Sequence, residues 1–239
     1  MALYLFSDAH LGSASDEKEA EKVAKISQLC DRVKADGDRL IILGDLFDFW
    51  FEYKHAMPKE HFGVLVDLQD VIKSGVQVDY VSGNHDFWMD DFFETRIGIA
   101  VHRDRLDLEY QGRRLHLIHG DGLAGADRGY RLLKRILRNR FNIWLYRKLP
   151  PDWAIPLAKF VSGSSRDYTS QRDHGFVPDY EAYAKTKLRE GFDIVIIGHL
   201  HIPSVTTIDG GMYINSGDFI NHFSYVRVDE NGARLEYLD

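Results

Sequence analysis

Seven side chains able to hold a metal ion are spread over five short motifs: Asp8 with His10, Asp45, Asn84, His119, and His199 with His201. Carboxylate, amide and imidazole donors without thiolates suit Mn, Fe or Zn better than a structural zinc site built on cysteine. Taken singly, each motif has an ordinary explanation. Asp-x-His is more often a turn than a ligand pair, Asp45 could cap a helix, Asn84 could turn the chain beside Gly83, and a lone His119 divides evenly between core residue and ligand. In an extended segment, however, side chains two apart share a side, so Asp8 and His10 could face one ion, as could His199 and His201. Asp45 has two oxygens and can bridge two cations, and Asn84 offers a neutral carbonyl oxygen.

Each motif follows an apolar run that reads as a β-strand, and strand ends are where an α/β sheet gathers distant residues at one edge. Leu3 to Phe6 leads into Asp8, Arg39 to Leu43 into Asp45, Val76 to Val81 into Asn84, Arg114 to Ile118 into His119, and Ile194 to Ile197 into His199. A helix opens at Asp16, with Glu19 three residues on in a capping-box pattern, and stops at Gly37. A second helix spans about 59–73, giving a β-α-β-α-β rhythm that implies parallel strands. The pattern then changes. Leu106 to Tyr110 and Arg114 to Ile118 flank Gln111-Gly112 as a hairpin, a helix runs from about Pro178 to Arg189, and short strands follow around Val205, Tyr213, Tyr225 and Leu235. Mixed strand directions predict a mixed α/β and α+β fold of two face-to-face β-sheets with helices outside.

In that order, DxH, GD, GNHD, HGD and GHxH resemble the motifs of the calcineurin-like metallophosphoesterases, an αββα sandwich. The resemblance implies two divalent metal ions. Asp8, His10, Asp45 and His201 would hold one; Asp45 as bridge, Asn84, His119 and His199 would hold the other. Two cations about 3.5–4 Å apart clamp a phosphoryl group and make water a nucleophile at neutral pH. His85 is the candidate for stabilising the transition state or protonating the leaving group, and Asp86 is placed to orient it. His55, His61, His102, His116, His174 and His222 lack paired ligand motifs and read as solvated or structurally satisfied.

Residues 125–175 fit neither strand rhythm and are predicted to be a helical cap inserted into a core of 1–124 and 176–239. From Asp127 to Lys148, eight Lys or Arg residues against one acidic residue give a local charge of +7 in a chain of net charge −7. Leu132, Leu133, Ile136 and Leu137, then Ile143, Trp144, Leu145 and Tyr146, interleave with them. A basic amphipathic segment with aromatics suits an anionic membrane surface or an amphiphilic phosphate, although a solvated helix face would read the same way. The Gly44-Asp45-Leu46-Phe47-Asp48-Phe49-Trp50 segment and Asp127-Arg128-Gly129-Tyr130 narrow the resemblance to the UDP-2,3-diacylglucosamine diphosphatases. That family cleaves a nucleotide–lipid pyrophosphate in lipid A synthesis, with Mn as the expected ion, and implies substrate contacts for Asp127 and Tyr130. Its best-known branch carries Arg where this chain has His85, which aligns the chain with GNHD-type relatives. The alternative is a metal-dependent phosphodiesterase or phosphatase acting on nucleotides or other small phosphoesters.

Composition bounds the rest. At 239 residues, 44% hydrophobic and 28% charged, the chain is that of a globular protein. Its acidic balance argues against a nucleic-acid partner. A single cysteine, Cys30, excludes an internal disulfide. The N-terminal apolar run is too short for a secretory signal and no stretch reaches the ~20 apolar residues of a membrane span. A cytoplasmic protein, peripheral at the inner membrane through its basic cap, is the expectation.

Overall fold

The apolar runs form the strands expected of them, to within two residues, in a computed structural model that describes residues 1–124, 134–158 and 173–239. Strands β1 (Ala2–Phe6), β2 (Gly37–Ile42), β3 (Gln77–Val81) and β4 (Ala100–His102) lie parallel, β10 (Ser224–Asp229) adds antiparallel to β1, and β11 (Gly232–Tyr237) antiparallel to β10. The first sheet therefore runs β11-β10-β1-β2-β3-β4. In the second, β5 (Arg105–Tyr110), β6 (Arg113–Ile118), β7 (Ile194–Ile197), β8 (Ser204–Ile208) and β9 (Gly211–Asn215) take the order β5-β6-β7-β9-β8. The predicted hairpin pairs Tyr110 with Arg113, and Gln111 and Gly112 take φ of 51° and 70° at its tip, the backbone a two-residue turn needs.

Alternation along β1 explains the layering. Leu3 and Leu5 point into the space between the sheets, where they join Ile41, Leu43, Leu117, Ile196 and Ile214. Tyr4 and Phe6 point the other way, onto Ile26, Leu29 and Val33 of α1 (Asp16–Asp36) and Leu65, Leu68 and Val71 of α2 (Phe62–Lys73). The outer face of the second sheet, with Val195, Ile197 and Tyr213, is covered by Tyr180 and Ala184 of its own helix. Strands buried on both faces carry apolar residues at every position, which is why they read as continuous runs. The result is the four-layer αββα sandwich.

Some local expectations change. Ser15, not Asp16, is the N-cap of α1, and its side chain makes no capping bond. Glu19 instead reaches back to the amides of Gly12 (2.9 Å), Ser13 (3.1 Å) and Ala14 (2.8 Å), so half of the capping box is kept and turned on the preceding loop. The segment 59–73 begins as a 3-10 turn (Lys59–His61) before α2. A π-turn at Phe93–Ile97 and the three-residue β4 were not anticipated, being too short for any periodicity. Between 125 and 175 the described residues are helical, at 134–137, at α3 (Arg140–Tyr146) and at 151–158. The last helix, α4 (Asp173–Arg189), starts five residues before Pro178 and carries that proline inside it. Asp127 and Tyr130 lie outside the described residues.

Candidate metal centre

All seven predicted ligands lie beyond the C-terminal ends of parallel strands: β1, β2 and β3 in one sheet, β6 and β7 in the other. Registers Phe6↔Ile42 and Ile42↔Tyr80 bring the first three strand ends level. The two sheet edges are then tied together through the ligands. Asp8 Oδ2 accepts the His199 amide (2.9 Å), His119 Nδ1 donates to the Leu43 carbonyl (2.9 Å), and Ser7 Oγ lies 2.7 Å from Ser216 Oγ.

The backbone reason for convergence differs from the one read off the sequence. Asp8, His10, Asp45, His199 and His201 have φ of 56°, 43°, 53°, 69° and 56°, so five of the seven ligands are left-handed rather than extended. Such residues cost of order 1–3 kcal/mol each unless their surroundings dictate the conformation. Here they are dictated: Asp8 N donates to Gly44 O (3.1 Å), His10 N to Asp45 O (2.9 Å) and Phe219 N to Asp8 O (3.1 Å). The left-handed turns also separate His199 from His201, which do not share an ion site. Gly83 allows the closest approach, because a Cβ there would lie 2.0 Å from Asp45 Oδ1.

Three groups of donor atoms result among the described residues, Asp8–His10–His201, Asp45–His119–His199 and, beside them, His10–Asp48–His85, each with its atoms within 4.8 Å of one another; the first two divide the predicted ligands. In the first, Asp8 Oδ1 is 3.2 Å from His201 Nε2 and 3.8 Å from His10 Nε2. In the second, His119 Nε2 is 3.2 Å from Asp45 Oδ2 and 3.1 Å from Asn84 Oδ1, which brings Asn84 into the set. Asp45 Oδ2 is also 3.7 Å from His10 Nε2, so this one oxygen stands between the groups as a bridging ligand must.

The hydrogen bonding separates outer from inner atoms. Asp8 Oδ2 is taken by Ser7 Oγ and the His199 amide, and Asp45 Oδ1 by the His85 amide (2.9 Å). Among the described residues Asp8 Oδ1 and Asp45 Oδ2 are buried without a hydrogen-bond partner, each facing only imidazole nitrogens at 3.2 Å or beyond. Orphaned buried carboxylate oxygens are expensive unless something cationic meets them. Together with four imidazoles, one amide oxygen and no thiolate, they fit two divalent ions of the Mn, Fe or Zn kind. His119 shows the support such ligands need: its Nδ1–H is held by a carbonyl, which leaves Nε2 for a metal.

Without metal, protons do the neutralising. Burial works against charging His10 and His119, but the carboxylates outweigh it. Asp48 and Asp8, with the charge of Asp45, raise His10 to about 9, and Asp45 and Asp8 raise His119 to about 10. His199, buried and facing the His119 cation, falls to about 4. Burial opposes ionisation of Asp8 and Asp45 as well, yet the histidine charges hold both well below the usual carboxylate range.

His85 sits beside this centre. Its Nδ1 donates to the Asp48 carbonyl (2.8 Å), and its Nε2 faces inward, 4.0 Å from Asp45 Oδ2. Asp86 is placed differently from expectation: its carboxylate accepts from Leu46 N (2.9 Å), Gly83 N (2.8 Å) and the Tyr80 hydroxyl. It thus ties the Asp45 and Asn84 loops together, and the residue meeting His85 is Asp48. Asp48 Oδ1 lies 3.7 Å from Nδ1 of both His10 and His85. Its one signal in the sequence was its place within Gly44-Asp45-Leu46-Phe47-Asp48. Of the other described histidines, His55 is exposed, and four others lie against aromatic or acidic partners. His61 lies tilted against the Phe47 ring, His102 pairs with Asp79 (2.8 Å), His116 lies between Asp107 and Tyr183, and His222 pairs with Asp218.

A cavity of about 690 Å³ opens on Asp48, Asn84 and His85 and is otherwise walled mainly by apolar groups, among them Phe49, Trp88 and, from 134–158, Ile136, Leu137, Ile143, Leu145 and Tyr146. Phe141, Trp144 and Trp153, which do not line it, are each more than half exposed.

Known proteins resemble this chain in sequence. The UDP-2,3-diacylglucosamine hydrolase of Porphyromonas gingivalis is 28% identical over 255 residues, covering 99% of this chain and 97% of the relative. The enzymes of the same description from Aeromonas salmonicida and Nitrosococcus oceani are 29% identical (99% of this chain, 93% of the relative) and 30% identical (88% and 83%). The profile described as calcineurin-like phosphoesterase matches residues 1–203, a span that contains every ligand from Asp8 to His201. The chain belongs to the calcineurin-like phosphoesterase family, as a metal-dependent hydrolase related at moderate identity to the UDP-2,3-diacylglucosamine hydrolases.

Proposed function

We propose that this protein hydrolyses the pyrophosphate of UDP-2,3-diacylglucosamine, or a close amphiphilic analogue, to UMP and 2,3-diacylglucosamine 1-phosphate, with Mn as its metal and histidine at position 85. The supporting observation is the 690 Å³ cavity, within the size range of ligand sites, which runs from His85 and Asn84 into an apolar interior. A substrate with one charged and one greasy end matches such a lining; a small polar phosphoester leaves most of it unused.

Bound divalent ions would polarise the phosphoryl oxygens and lower the pKa of the attacking water. Asp8, His10, Asp45 and His201 would hold one ion, and Asp45, Asn84, His119 and His199 the other. The chain's own groups do the rest. Ser7 and the His199 amide fix Asp8, the His85 amide fixes Asp45, and Asp86 keeps the Asp45 and Asn84 loops in register. With Nδ1–H donated to the Asp48 carbonyl, His85 presents Nε2 to the leaving oxygen and would pass it a proton only from the imidazolium form, against the burial that lowers its pKa and with the charges of Asp45 and Asp48 in its favour. The apolar wall excludes water from the bond being cleaved.

No helix among the described residues is long and apolar enough to cross a membrane. Exposed Trp144 and Trp153 beside Arg140, Arg147 and Lys148 suit a peripheral contact with anionic lipid, which would bring the protein to its amphiphilic substrate. Incubation with detergent-dispersed UDP-2,3-diacylglucosamine and Mn tests the central reading. UMP release is expected; rapid cleavage of small phosphodiesters with no UMP formed would establish the nucleotide phosphodiesterase alternative instead.

A further inference from the structure

The cavity wall nearest the metal centre carries one cation with an unusual set of contacts. Arg138 Nη2 donates to the carbonyl of Gly83 (3.2 Å), the residue before Asn84, and its guanidinium lies 4.8 Å over the Phe87 ring, two residues beyond His85. Both ends of the GNHD loop therefore grip the same side chain. Its Nε is buried without a hydrogen-bond partner among the described residues. One turn earlier, Lys134 lines the same cavity and is paired with Asp121 (2.6 Å), which follows His119-Gly120. Asp121 is also 3.7 Å from Arg138 Nη2, and the exposed Asp104 is 3.7 Å from Nη1, long contacts that leave donor capacity on the guanidinium. Two cations, held from the metal side, stand where an otherwise apolar cavity meets the centre.

A diphosphate brings two phosphorus centres, and a pair of metal ions clamps one of them. The other needs its own counter-charge, and a planar guanidinium immobilised on an aromatic face is well suited to phosphate oxygens. We propose that Arg138, flanked by Lys134, binds the phosphate group of the substrate that the metals do not, and so makes the site select diphosphates over monophosphates. This rests on the amphiphilic-diphosphate reading above and adds to it the residue that distinguishes the two ligand classes.

Binding of dodecyl diphosphate and of dodecyl phosphate to the Mn-loaded protein, followed by titration calorimetry, tests it in wild type and in Arg138→Gln and Arg138→Lys. Loss of a charge-assisted hydrogen bond predicts a drop of roughly tenfold to a hundredfold in diphosphate affinity for Arg138→Gln. Monophosphate affinity should change less than threefold, and Arg138→Lys should fall between. Equal weakening of both ligands would mean that Arg138 only holds Gly83 and Phe87 in place, and overturns the proposal, as does no weakening of either. Should the wild type bind neither alkyl ligand, it is the amphiphile reading that fails; the same comparison with inorganic pyrophosphate and orthophosphate then decides the role of Arg138.

Discussion

Replacing Lys22 by methionine should damage the metal centre from behind. Lys22 is a wholly buried lysine on α1 whose ammonium donates to the carbonyls of Ala9 (3.1 Å) and His10 (2.8 Å) and pairs with Glu19 (2.7 Å). Glu19 in turn takes the amides of Gly12, Ser13 and Ala14, so the two side chains together grip the loop that presents Asp8 and His10. Methionine fills nearly the same space, so the loss is electrostatic rather than a cavity. Breaking a buried pair costs about 3–5 kcal/mol, and we expect the low end because Glu19 is partly solvated and keeps its amide donors. For a chain of this size about 3 kcal/mol lowers the melting temperature by roughly 6–12 °C. The freed loop should also weaken Mn binding by about 10- to 100-fold, as loss of a group supporting metal ligands does. Thermal melts of the metal-free protein and calorimetric Mn titrations measure the two effects separately. A K22M protein that melts within about 2 °C of wild type and binds Mn equally well would mean that the cross-sheet bonds alone hold the loop, and the argument from Lys22 would be wrong.

Other expectations follow from the same geometry. In metal-free protein His10 and His119 are raised to about 9 and 10, so both carry a proton at pH 7 that a metal must displace. Calorimetry in buffers of different ionisation enthalpy should show about two protons released on loading at pH 7, with affinity rising from pH 6 to 10. By the same linkage, stability from these raised histidines is full below about 6.5 and lost as pH climbs through 9 and 10, so the metal-free protein should melt lower at pH 10 than at pH 7. Asp45→Asn removes the shared charge and should reduce bound metal from two ions, read by metal analysis, with kcat falling by more than the roughly 100-fold typical of lost supporting groups. His85→Asn should lower kcat by about 10²–10⁴ while leaving metal content unchanged; a parallel loss of metal would reassign His85 to holding the centre.

Donor types and their positions beyond apolar runs were legible along the chain because both are local properties. A run such as Ile194–Ile197 can be buried on both faces, and the first polar residues after it must lie at the sheet edge. The contact of 134–158 with the site, where Tyr146 meets Phe49, Phe51 and Trp88, was foreshadowed only by composition, since amphipathic stretches state that a face is covered without saying by what. What no local pattern carried was the left-handed backbone of Asp8, His10, Asp45, His199 and His201. Aspartate and histidine enter that conformation more readily than most side chains, but it remains a minority state for them and residue type alone does not select it. It is imposed by bonds between residues far apart in the chain, such as the His199 amide on Asp8, and these exist only once the two sheets are packed. The same long-range packing gave Asp48 its place between His10 and His85, turned Asp86 toward Gly83 and Leu46, and buried Lys22 under the Asp8–His10 loop. Chemistry was therefore written in residue type and order, while the assignment of each atom to one ion or the other came from tertiary contacts that fix backbone angles no single segment would adopt alone.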